Sequence, residues 1–216
     1  MDSPDHLDSD PLTSGPSRRR RGRSPWRTGL EWVLVVGGAV LVALAIRTFV
    51  AQAFFIPSES MEPLLATGDR VIVDKLTFGP DDIQRGDVVV FAKPPQAAQD
   101  GVADLIKRVV GLPGVTLVID DGKVYIDGAL LEEPYLPPGT FTSQGGGTPA
   151  PGETTVGPRC GRSDPCVIPE GHLFVMGDNR SNSKDSRWPD VGYVNENQIV
   201  GRAVWRIWPI SRLGGL

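Results

Sequence analysis

The sequence predicts a mainly β domain held behind a single N-terminal transmembrane helix, and three observations carry that reading. An apolar run follows a block of arginines; beyond Pro57 the apolar residues fall in short β-branched runs closed by Gly, Pro and Asp; and no amphipathic helix of useful length interrupts them. At 216 residues the chain holds one large domain or two small ones, and 40% hydrophobic residues beside 26 Gly and 20 Pro describe a core with many loops. A net charge of −4 gives no reason to expect nucleic acid as a partner. Two Cys and two His, none at metal-ligand spacing, argue against a zinc hydrolase and nominate no metal or cofactor site. His6 lies in a polar tail and His172 reads as an ordinary, partly buried strand residue, so a hydrolase here needs another base.

Residues 1–28, rich in Asp, Ser, Pro and Arg, predict a disordered cytosolic tail. The arginines at 18–21 and 23 ahead of an apolar run set the N-terminus in the cytosol. Contact with anionic membrane lipid explains them more simply than nucleic acid does. Val33 to Ile46 is uninterruptedly apolar, though shorter than the roughly 20 residues a span takes. Leu30 and Trp32 extend it inward, and Phe49 to Ile56 extend it outward if Arg47 snorkels to the interface. The anchor with its juxtamembrane segment therefore occupies 29–53, and an extracytoplasmic β domain 54–216. A cleavable secretory signal is the rival reading, because Ala51-Gln52-Ala53 is an A-x-A triplet. The basic block begins too far from the N-terminus for that, and Arg47 breaks the approach to the triplet. Both readings put residues 57–216 outside the cytosol.

Strands are expected over 70–75, 87–91, 105–110, 115–119, 124–126, 173–176 and 203–208. Asp121-Gly122 between the fourth and fifth of these favours a tight hairpin. Residues 137–170, with Gly145-Gly146-Gly147 and Pro149-Ala150-Pro151-Gly152, read as a Pro/Gly-rich excursion from the core. Within it Cys160 and Cys166 bracket five residues. In an oxidising compartment a disulfide between them would contribute about 2 kcal/mol; two free thiols are the alternative.

Three stretches carry the chemistry. Ile56 to Leu65 contains Ser58 and Ser60; Lys107 to Gly114 opens on a lysine in a β-branched run; Gly177 to Arg187 crowds Asp178, Asn179, Arg180, Ser183, Asp185 and Arg187 into one loop. A serine hydroxyl needs a neighbouring base, and a lysine can serve only when burial destabilises its ammonium. By strand alternation Lys107 shares a face with Leu105 and Val109, and Arg108 points the other way.

The sequence resembles the bacterial type I signal peptidase (leader peptidase) family. It carries S-x-S-M-x-P at 58–63, G-D-V-V-V-F at 86–91, K-R-V-V-G-L-P-G at 107–114 and G-D-N-R-x-x-S-x-D-S-R at 177–187, in order behind one apolar segment. The resemblance covers roughly 30–208 apart from the excursion. It implies a fold of two antiparallel β regions lying against the membrane, with Phe49, Phe54 and Phe55 near the interface. It also implies a Ser-Lys dyad endopeptidase that removes signal peptides from secretory pre-proteins through an acyl-enzyme, without a cofactor. Ser60 would be the nucleophile and Lys107 its general base. Ser58 and the Ser60 N–H would form the oxyanion hole. Ser183 would hold the lysine amine, and Asp185 with Arg187 would brace the loop. Ile56, Pro57 and Ile106 would line shallow pockets for the small side chains of an A-x-A pattern. Leu64, Val115 and Asn195 depart from the family pattern away from the dyad. The rivals are another Ser-Lys peptidase, membrane-anchored or of the soluble self-cleaving repressor kind, and a non-catalytic anchored β domain that binds secretory precursors.

Overall fold

The computed structural model describes residues 25–45, 51–93, 104–145 and 158–216. Most of the expected cytosolic tail (1–24), Arg47, Phe49 and the centre of the Pro/Gly-rich stretch (146–157) lie outside the described residues. The chain divides into two compact units, 1–42 and 43–216.

Helix α1, Pro25–Ala45, opens on a proline, whose fixed φ and missing N–H suit a first helical turn. Its described side chains, Trp26 and those of 29–42, are all exposed. Among the described residues no helix is long and apolar enough to cross a membrane.

The described residues of the second unit form twelve strands. In chain order they are β1 (Ala51–Phe55), β2 (Arg70–Asp74), β3 (Val88–Ala92), β4 (Asp104–Gly111), β5 (Thr116–Asp120) and β6 (Lys123–Ile126). There follow β7 (Ala129–Leu130), β8 (Cys166–Val167), β9 (His172–Met176), β10 (Val194–Asn195), β11 (Ile199–Trp208) and β12 (Gly214–Gly215). Eight of them form one antiparallel sheet in the order β1-β2-β11-β3-β4-β9-β10, with β12 on β11; β7-β6-β5-β8 form a second antiparallel sheet.

Both faces of β3 are covered, which is why its sequence is continuously apolar instead of alternating. Val88 and Val90 join Ile56, Met61, Val71 and Ile106 in one cluster, while Val89 and Phe91 join Phe78, Val109, Leu173 and Val175 in another. A third cluster ties Leu117, Ile119 and Val124 of the second sheet to Phe174 and Met176 of β9. The β5–β6 hairpin turns through Asp121 (φ 46°) and Gly122 (φ 72°), the paired positive φ values that a two-residue type I′ loop demands.

Two features of the fold bear on the expected domain bounds. The boundary placed at 53/54 cuts through β1, which pairs residue by residue with β2 from Ala51↔Asp74 to Phe55↔Arg70. An apolar run can serve lipid or sheet, and composition does not separate the two. The stretch 137–170 is also less of an excursion than its Pro and Gly suggest. Cys160, Cys166 and Ile168 are buried in the third cluster, and β8 pairs with β5. Cys160 and Cys166 are disulfide-bonded, with Cα atoms 4.7 Å apart. At its near end Thr142 N donates to Gly122 O at 2.9 Å and Gln144 Nε2 to Ile119 O at 2.9 Å.

Candidate active site

Ser60 sits in a tight turn after β1, where Glu62 N donates to Glu59 O at 3.0 Å. The turn is held down by its neighbours: Met61 and Leu65 are fully buried in the cluster beneath it, and Leu65 N donates to Met61 O at 2.9 Å. Ser60 itself is buried to 8% exposure. Ser58, exposed, donates its hydroxyl to Ser60 Oγ at 3.3 Å.

Lys107 comes from β4, opposite Val89 of β3. Its side chain, 2% exposed, directs Nζ to Ser60 Oγ at 2.7 Å and to the Ile106 carbonyl at 2.8 Å. Burial pulls its pKa down from 10.5 to about 8, against the smaller opposing attraction of Asp185 and Asp178. A lysine so placed exists as free amine in a useful fraction just above neutral pH, and the free amine can accept the Ser60 proton.

The loop after β9 holds this pair in place. Asn179 N donates to Ser60 O at 3.2 Å and Asn179 Nδ2 to Glu59 O at 3.2 Å. Gly177 permits that approach, because a Cβ there would stand 2.3 Å from both Ser60 O and Ser183 Oγ. Asp185, fully buried, accepts Arg187 Nε and Nη2 at 2.8 Å each and the Gly177 N–H at 3.0 Å. This bidentate pair fixes the carboxylate and lets it brace the loop from inside. Asp178 makes a second bidentate pair with Arg108 (2.8 and 2.6 Å). Arg180 donates to Gly177 O at 3.2 Å, to Thr142 Oγ1 at 2.8 Å and to Glu133.

The structure thus brings Ser58, Ser60, Lys107 and the six loop residues into one neighbourhood, with two exceptions in detail. Ser183 is buried beside Gly177, yet its hydroxyl has no hydrogen-bond partner, and Lys107 Nζ turns to Ile106 O instead. Ile56 is 2% exposed in the core and lines no cleft at the dyad; its backbone is held to Asp69 O and Gly68 N. Pro57 and Ile106 do line a cleft of about 200 Å³ that opens on Ser60 and Lys107, together with Asp104 and Leu105. Cys160 and Cys166 belong to the second sheet's core. Among the described residues no group of three or more His, Cys, Asp or Glu could hold a metal ion.

Several contributors escaped the sequence reading. Arg108 lies beside the lysine in the K-R-V-V box, where the box itself marks it, and its guanidinium stacks 3.9 Å from the centre of the Tyr135 ring. Tyr135 and Glu133 reach the site from about 45 residues upstream in a turn-rich stretch with no motif. Only folding reveals them.

Residues 29–208 match the family described as signal peptidase, peptidase S26. The chain is 41% identical over 192 residues to a signal peptidase I of Leptolyngbya laminosa, covering 87% of this chain and 83% of that one. It is 38% identical over 200 residues to a probable signal peptidase I-1 of Synechocystis sp., covering 89% of each. It is 34% identical over 182 residues to signal peptidase IB of Staphylococcus aureus, covering 84% of this chain and 91% of the relative.

Proposed function

This chain belongs to the signal peptidase family, peptidase S26, and from that premise we propose that Ser60 and Lys107 are its catalytic dyad. As a serine endopeptidase with signal peptidase I function it acts on precursors that bear signal peptides. The observation that supports the dyad is the 2.7 Å contact between Lys107 Nζ and Ser60 Oγ, made by a lysine that is almost wholly buried.

In this reading the pre-protein lays its A-x-A segment along the cleft at Pro57, Leu105 and Ile106, whose apolar, shallow lining suits methyl-sized side chains. Neutral Lys107 takes the proton of Ser60 as Oγ attacks the scissile carbonyl carbon. The oxyanion accepts hydrogen bonds from the Ser60 N–H and the Ser58 hydroxyl. As the tetrahedral intermediate collapses, the C–N bond breaks and the Lys107 ammonium returns the proton to the departing amine. Water then attacks the acyl carbon and gives a proton to Lys107; the C–Oγ bond breaks, the Lys107 ammonium returns that proton to Ser60 Oγ, and the signal peptide leaves as a carboxylic acid that ionises in water. Asp185, Arg187, Asp178, Asn179 and Arg180 position the loop, and the unpartnered Ser183 hydroxyl is available to steady the amine during these transfers.

The membrane part of the reading is also a proposal. It takes 29–53 as the anchor region, with the arginine block cytosolic and the unit that carries Ser60 outside. On the larger sheet Phe55 (59% exposed), Trp205 (46%) and Trp208 (50%) present aromatic surface; such rings favour a membrane–water interface.

The test is cleavage of a pre-protein by the full chain in detergent. Ser60→Ala and Lys107→Met are each expected to abolish processing, and the double variant to lose little more, because the pair acts as a unit. Substantial residual processing by either single variant would sink the assignment.

A further inference from the structure

A second cleft, of about 440 Å³, adjoins the turn that carries Ser60. Glu62 and Pro63, from the same turn as Ser60, form one wall; Pro137 and Phe141 form another, with Phe141 66% exposed; the backbone and side chains of 178–181 close it. The segment 57–63 is therefore shared by both clefts. Its Pro57, Ser58 and Ser60 line one cleft, and its Glu62 and Pro63 line the other. A chain cut at Ser60 with its acyl part in the first cleft must carry its leaving part out of it, and the second cleft begins two residues from the nucleophile, at Glu62.

The second cleft is almost charge-neutral. Of its charged lining residues, Asp178 is spent on Arg108 (2.8 and 2.6 Å) and Arg180 on Glu133 and Thr142. Asn179 ties the cleft to the nucleophile through Ser60 O and Glu59 O. The one remaining charge on its walls is the half-buried Glu62 carboxylate. Apolar walls and a single acid suit an extended polypeptide that is neutral or basic. They also suit the α-ammonium that the departing segment acquires when the C–N bond breaks.

Resting on the peptidase reading above, we propose that this cleft holds the first residues of the mature protein and that Glu62 sets their charge preference. The residues after the cut lie against Pro63, Pro137 and Phe141, and Glu62 favours a basic over an acidic residue among them.

The test uses the full chain in detergent and pre-protein peptides that share one A-x-A segment but carry Lys, Ser or Asp at the second and third positions after the cut. For the wild type, kcat/KM is expected to favour the Lys peptide over the Asp peptide by roughly three- to fivefold, the scale of a part-exposed charge pair. Glu62→Gln should flatten the ratio and Glu62→Lys should reverse it. Phe141→Ala should raise KM for peptides that extend several residues past the cut but not for peptides ending just after it. If all three enzymes cleave after A-x-A with the same Lys-to-Asp ratio, the peptidase reading stands and the cleft assignment falls. If Ser60→Ala cleaves as well as wild type, the peptidase reading falls and takes the cleft with it.

Discussion

Lys107 is almost wholly buried, and that burial lowers its pKa from 10.5 to about 8. The free amine is the working form, so kcat/KM is expected to rise from pH 6 and level off above about pH 8 to 9; a pH profile of peptide cleavage checks this, and a maximum in acid would point to a carboxylate base. The same shift bears on stability. The folded chain resists protonating this lysine and the unfolded chain does not, so stability associated with it is present above pH 10.5 and is lost as the pH falls through about 8. At pH 7 the buried charge costs on the order of 3 kcal/mol. Lys107→Met removes that charge and also the hydrogen bonds to Ser60 and Ile106, which offset part of the gain. Urea denaturation at pH 7 is expected to find the variant more stable by about 1 to 3 kcal/mol, with the gain shrinking towards pH 10.5. An unchanged or lowered midpoint at pH 7 would contradict a destabilising buried ammonium.

At the scale of elements, the site depends on how closely the loop after β9 approaches the turn that carries Ser60. Gly177 is the contact point: a Cβ there would meet Ser60 O and Ser183 Oγ at 2.3 Å each. Gly177→Ala is expected to cost about 1 to 3 kcal/mol by overpacking and, by displacing the nucleophile's backbone, to lower kcat on the order of a hundredfold. Thermal denaturation and single-turnover cleavage measure the two effects separately. A fully active variant would mean that the turn and the loop move independently. Behind this contact stand two buried bidentate pairs, Arg187 with Asp185 and Arg108 with Asp178. They keep the loop rigid while every charge in it is matched, which is how so polar a segment can be buried.

For the whole molecule, the prediction concerns where the chain sits relative to the bilayer. The uncleaved-anchor reading expects intact protein in the membrane fraction, with protease added to spheroplasts digesting the catalytic unit and sparing an N-terminal tag. The position of β1 adds a structural reason. Cutting after Ala53 would sever a strand whose five residues all pair with β2, leaving two behind to complete the edge of the sheet. Recovery of a soluble form beginning at Phe54 as the main species would overturn the anchor.

Local chemistry determined a good deal from the sequence alone. The β-branched runs became β2, β3, β4, β5, β6, β9 and β11 to within a few residues, and Asp121-Gly122 became the hairpin, because side-chain alternation and turn geometry are set by near neighbours. The motif boxes nominated Ser58, Ser60, Lys107 and the loop from Asp178 to Arg187, all of which fold into one neighbourhood. Tertiary structure decided the rest. Whether Ala51–Phe55 served lipid or sheet, whether Ile56 faced substrate or core, and whether 137–170 stood apart or packed all turned on partners distant in the chain. So did the use of Glu133, Tyr135 and Thr142 to secure Arg108 and Arg180. A buried charge takes its partner from whatever the fold brings within about 3 Å, and that proximity is not written into the spacing of residues along the sequence.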